Sequence, residues 1–193
     1  MTDHALISRI ARVDPEHAEA MRANPTTFET ADLPFWRQFR LVTAVVNLVA
    51  HPMQLRYADN GKMLIPLLTP DHVYAVNEAE KLQLTLPLVA PYARLFLTCT
   101  GGPKLAVRES AEGVRWLPAT ETDPKLKERK ELALSRIAPV ASFVVDSGGF
   151  AACAIVQRDR SLVEIELRLS EDGKVTRQAE TVILPAMPVP YVA

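Results

Sequence analysis

Reactive residues are scarce in this chain of 193 residues. It holds two cysteines, Cys99 and Cys153, and four histidines, His4, His17, His51 and His72. Two scattered cysteines make neither a disulfide framework nor a CxxC motif, and they are expected to be free thiols. No histidine stands in the HxxxH or HExxH spacing that sets two ligands on one helix face. No metal site and no cofactor are therefore expected. A charge excess is also missing, with 22 Lys and Arg against 23 Asp and Glu and a net charge of −1. Nucleic-acid binding draws its affinity from basic residues that neutralise phosphate, so no nucleic-acid partner is expected. The longest apolar run, Leu41 to Ala50, is broken by Thr43 and Asn47 and falls far short of the roughly 20 residues that span a bilayer. The N-terminus, MTDHALISRIARVDPEHAEAM, lacks the basic start and continuous apolar stretch of a secretory signal. These absences lead to the expectation of a soluble cytoplasmic protein without a membrane partner.

What the chain does have is apolar mass and turn chemistry. Apolar residues make up 48% of it, enough for a core without crosslinks. Punctuation by Pro, Asp and Gly predicts an α+β fold: N-terminal helices, then a mainly antiparallel sheet of hairpins with one or two inserted helices. Residues 1–193 read as a single domain. Asp3 opens a short helix to Val13, and Asp14–Pro15 starts a second, with the aspartate side chain accepting free amide hydrogens. A third helix is expected over 33–51, opened by Asp32 and Pro34 and closed at His51–Pro52. Asn60–Gly61 marks a hairpin, and Pro66 pushes its second strand towards an edge or a bulge. Thr69–Pro70–Asp71 and Thr122–Asp123–Pro124 open two further helices, the second burying Leu126, Leu132 and Ile137. KLAVRESAEGVRWLP reads as a hairpin turning at Ser110 to Gly113. For the last hairpin, a three-residue loop Glu171–Asp172–Gly173 pairs Leu169 with Val175 and Leu167 with Arg177, and it puts Glu164 opposite Glu180. Residues 185–193 form an extended apolar tail.

Two segments share an outline. Ala90–Pro91, Phe96, Thr100 and Gly101–Gly102 match Ala138–Pro139, Phe143, Ser147 and Gly148–Gly149. This suggests an internal two-fold repeat with units at about 69–118 and 122–184. Strand-like residues follow both glycine pairs, and Pro103 removes a donor, so the pairs read as turns rather than phosphate cradles. Cys99 and Cys153 lack a base to activate them and read as small core residues.

The candidate binding residues are Arg37, Arg40, Asn47 and His51, a polar stripe on the expected helix 33–51, together with Arg177 in the closing hairpin. On a buried helix such groups need water, a partner or a ligand, and two arginines would suit a small anion. The closing stretch DGKVTRQAETVIL resembles the last strands of hot-dog thioesterases and dehydratases, and it carries no catalytic residue across. Two functions follow as expectations. One is a non-catalytic accessory or binding protein that self-associates as a homodimer, or holds a protein partner, through its sheet and residues 183–193. The other is an enzyme of acyl-transfer or hydratase type with a pocket between helix 33–51 and the sheet.

Overall fold

The structure, a computed structural model, describes residues 3–49, 51–102, 104–146 and 148–190, with the side chain of Arg177 excepted. The fold is α+β, as the sequence pattern predicts. The chain divides into two compact units, Met1–Leu82 and Gln83–Ala193.

In the first unit α1 (Asp3–Ile10) and α2 (Pro15–Ala23) precede four strands: β1 (Thr26–Asp32), β2 (Arg40–Asn47), β3 (Pro52–Asp59) and β4 (Leu64–Pro66). The strands pair antiparallel in that order, with Pro66 on an edge strand where its missing N–H costs no ladder bond. Helix α3 (Pro70–Glu80) closes the unit. Val42, Ala44 and Val46 bury one face of β2 opposite Tyr57, Leu55 and Met53 of β3. Leu6, Ile10, Ala18 and Met21 from the two helices complete this core.

The helix expected over 33–51 does not form. Residues 40–47 are strand β2, and 33–39 are irregular. Two features of the sequence hide the strand. Leu41, Thr43 and Val45 are half-buried on the second face, so both faces carry apolar residues and the two-residue period flattens. The preceding loop is itself apolar and buried at Phe35, Trp36 and Phe39, which lengthens the apparent run. Helix α3 holds that loop. Trp36 Nε1 donates to Asn77 Oδ1 at 3.2 Å. The Glu80 carboxylate accepts the backbone N–H groups of Arg37, Gln38 and Phe39 at 3.1, 2.6 and 2.7 Å.

The second unit contains α4 (Leu86–Thr100), β5 (Leu105–Val107), a short 3₁₀ turn (Pro118–Glu121), α5 (Pro124–Arg136), β6 (Ala141–Val144), β7 (Phe150–Arg158), β8 (Ser161–Leu169) and β9 (Val175–Leu184). Its antiparallel sheet has the order β5-β7-β8-β9, and β6 shares the β5 side of β7. Ala152, Ala154 and Val156 pair with Leu167, Ile165 and Val163 on one buried face. Ile155 and Leu162 lie on the opposite face, in a cluster with Ala133, Leu184, Met187 and Val189. Asp123 caps α5 by accepting from the Lys125 and Leu126 amides. That helix is more exposed than its sequence suggests: Ala133 is its one buried residue, while Leu132 is 41% exposed and Leu126 is half-buried.

Residues 90–100 lead into the first glycine pair as a helix, not as a strand. These residues belong to α4, whose Val89, Tyr92, Phe96 and Cys99 are buried at helical spacing. Pro91 lies inside the helix, and its cost in a helix interior is what disguises the pattern. Gly101 ends the helix, its N–H bonding Leu97 O. The other glycine pair turns β6 into β7, where a Cβ on Gly149 would meet Leu169 O at 2.4 Å. One segment is a helix end and the other a hairpin. Residues 69–118 hold two helices and one short strand, whereas 122–184 hold one helix and four strands. The internal repeat therefore finds no support; Pro103 and Ser147 lie outside the described residues. Nor does 104–118 form its own hairpin, because β5 pairs with β7 instead.

The last hairpin turns at Glu171–Gly173 with Gly173 at φ +80°, and Leu169 faces Val175 as expected. A register shift between Arg168 and Leu169 then moves the pairs from Arg168 to Val163 by one, and a second between Val163 and Leu162 moves the last pair once more. Arg168 faces Arg177, Leu167 faces Gln178, and Glu164 faces Thr181 rather than Glu180. Thr176 is the extra residue of a β-bulge, and its hydroxyl donates to Arg168 O at 3.3 Å.

Candidate functional site

The polar stripe of the sequence does not assemble. Arg40 and Asn47 stand at opposite ends and on opposite faces of β2, about 23 Å apart at a strand rise of about 3.3 Å per residue. Arg40 forms an exposed ion pair with Asp32 at 2.9 Å. The Asn47 amide donates to Pro25 O at 3.3 Å. Arg37 is exposed, with its backbone held by Glu80, and His51 is exposed at the start of β3's approach. Arg177 belongs to the second unit, and its side chain lies outside the described residues.

A cleft of about 530 Å³ opens in the first unit between α1 and the β1–β2 end of the sheet, lined by Asp3, Arg9, Phe28, Arg40 and Asp59 among others. Its two arginines are already paired. Arg9 grips Asp59 bidentately at 2.7 and 2.6 Å, and this contact raises the arginine pKa. An anion entering the cleft would have to displace Asp59 or Asp32, so the expected small-anion site gains nothing from it. Deeper in the unit, Asp14 accepts the Tyr57 hydroxyl at 2.9 Å and meets His17 Nδ1 at 2.9 Å. Burial, then the bond to Asp14, pushes the Tyr57 phenol well above its ordinary value. A phenol held protonated against a carboxylate is a structural bond, not a proton donor poised for chemistry.

In the second unit a groove of about 560 Å³ runs from Arg136 over Cys153 and Glu164 to Thr181 and Ile183. Burial and the neighbouring Glu164 raise the Cys153 thiol pKa, which opposes the thiolate a nucleophile needs. Neither cysteine is in a disulfide. Among the described residues no group of three or more His, Cys, Asp and Glu is placed to hold a metal.

The most distinctive feature is β9. It is ten residues long and pairs with β8 on one side alone, at the end of the sheet order. Residues 178–182 are exposed in succession, so both faces of the strand are open, and Val182 is 58% exposed. Its middle is anchored from β7: the Arg158 guanidinium bonds both oxygens of Glu180 at 2.7 and 2.9 Å. That contact lowers the Glu180 carboxyl and raises Arg158. Gln178 adds a donor to Glu180 Oε1 at 2.9 Å. The strand is thus anchored at its middle, and over residues 178–182 its outer row of backbone groups is paired by no described residue.

The apolar tail, by contrast, is covered by its own unit. Met187 and Val189 are 0% and 3% exposed. Leu117 N–H bonds Pro188 O at 2.9 Å, Arg160 Nε bonds Met187 O at 3.2 Å, and Arg129 donates to Pro185 O and Ala186 O. Residues 191–193 lie outside the described residues. Sequence reasoning placed the contact surface partly on this tail and missed the edge. The missed signal is QAET itself, polar or small at successive positions, a composition that neither face of a central strand would carry.

No family model, no curated protein and no solved structure matches the chain.

Proposed function

We propose that this is a non-catalytic binding protein that engages another polypeptide by strand addition to the β9 edge. The supporting observation is the length and openness of that strand. Natural sheets shield edges with short strands, proline, bulges or covering loops, and β9 carries five consecutive exposed residues between its two register shifts. Strand addition supplies affinity through main-chain hydrogen bonds and needs no catalytic group. With the tail docked on its own unit, the sheet edge takes over the role assigned to residues 183–193. A reducing, cytoplasmic compartment fits two cysteines that form no disulfide.

The enzyme reading drew on a helix at 33–51, and residues 40–47 of that stretch form strand β2 instead. The binding reading is tested by native mass spectrometry of the protein isolated from its host, beside Val182→Lys. A charge on the exposed edge blocks pairing without touching the core. The expected result is a bound polypeptide, or a second copy, on the natural protein and its loss from the variant. Equal association by both, or none by either, would overturn the proposal.

A further inference from the structure

The geometry points to a second copy of this chain as the occupant of the β9 edge, in an antiparallel pair whose two-fold axis passes through Ala179. This rests on the edge reading above and goes further by naming the occupant and its register.

A two-fold axis between antiparallel edge strands runs normal to the sheet and keeps each residue on its own face. Residue i then meets residue j with i + j constant and even, so one residue always faces itself. The regular part of β9 lies between the register shifts near its two ends, which limits the choice of that residue. A centre at 177 sets Arg177 against itself, and a centre at 180 sets Glu180 against itself; like charges directly opposite are unfavourable. A centre at 178 leaves the exposed Val182 opposite Lys174. A centre at 181 puts the Glu180 carboxylate against Val182.

The centre at 179 sets no like charges opposite each other, and it leaves Lys174 facing the buried Leu184 rather than the exposed Val182. The smallest side chain of the strand sits on the axis. Arg177 faces Thr181 of the second copy. Gln178 faces Glu180 of the second copy, so the amide–carboxylate bond made within each strand, 2.9 Å long, has an equivalent partner across the axis. Val175 and Thr176 lie toward Ile183 and Val182 of the second copy, giving the pair two apolar ends. The strand is self-complementary in sequence, and the interface is isologous and closed, which stops growth at two copies.

The register is tested with the full chain by cysteine trapping. Opposed Cα atoms in an antiparallel pair lie about 4.5–5.5 Å apart, within disulfide reach. Under mild oxidation Ala179→Cys is expected to give a covalent dimer, while Gln178→Cys and Thr181→Cys, which do not face themselves, give at least about tenfold less. Sedimentation equilibrium should show a monomer–dimer equilibrium for the natural chain. Ala179→Lys, which sets two lysines on the axis at an exposed position, should weaken it at least tenfold with an unchanged circular dichroism spectrum. A dimer trapped equally well through 178 or 181, or not through 179, overturns the register. A chain monomeric at every concentration overturns self-pairing, and the edge reading then stands or falls separately on whether Val182→Lys releases a different polypeptide.

Discussion

Inside the first unit the Tyr57 hydroxyl, the Asp14 carboxylate and the His17 ring form a small polar cluster in an apolar core. Asp14 directly precedes α2, and its side chain makes no capping bond. The residue type that signals a helix start has been redirected to a buried tyrosine 43 positions away. Asp14 and Tyr57 are only 9% and 1% exposed, so water cannot readily replace either partner. Tyr57→Phe leaves the carboxylate with His17 alone and should cost about 1.5–3 kcal/mol, the range for a hydrogen bond to a charged group, measured by urea denaturation. The variant also has a pH signature. Folding raises the Tyr57 pKa above its ordinary 10.0, so its contribution is complete below about pH 10 and decays at more alkaline pH. Tyr57→Phe should therefore flatten the alkaline loss of stability. A steep alkaline limb retained in the variant would place that titration elsewhere.

Among the elements, the segment 33–47 shows how a physical cause can be invisible in sequence. Glu80 lies more than forty residues from the three amides it accepts, and those bonds let an apolar loop stay irregular while buried. Nothing local announces them, so Phe35, Trp36 and Phe39 extend the apolar run of β2 into a false helix. Glu80→Gln keeps the shape but removes the charge behind three bonds, and should cost about 2 kcal/mol. The readout is the fluorescence of Trp36 with amide exchange at 37–39; a wild-type exchange rate there would refute the clamp. Where the determinants are local, the sequence was legible: Asp123–Pro124 starts α5, and Glu171–Asp172–Gly173 turns the last hairpin. The bulge at Thr176 was not legible, because a bulge imposes no residue type on its extra position. The candidate stripe from Arg37 to His51 was a product of the helical reading and disappeared with it. That β9 is an edge depends on which strands pair, a tertiary fact; only the succession of polar or small residues at 178–181 hints at it.

On the scale of the molecule, charge is balanced and part of it is paired locally. The net charge is −1, and in the second unit Arg94–Glu109, Lys104–Asp159, Lys130–Glu121, Arg158–Glu180 and Arg168–Glu166 are ion pairs. Such a surface projects little field, so encounters are not steered over distance. The β9 edge offers backbone donors and acceptors, Ala179, Thr181 and Val182, and its one glutamate is already bonded to Arg158. Pairing there should depend on short-range bonds rather than on net charge. The dissociation constant is then expected to change less than about threefold between about 50 and 300 mM salt, since screening acts on exposed, separated charges. Sedimentation velocity across that range decides the point: a loss of tenfold or more would mean that charged faces, and not the open strand, hold the complex together.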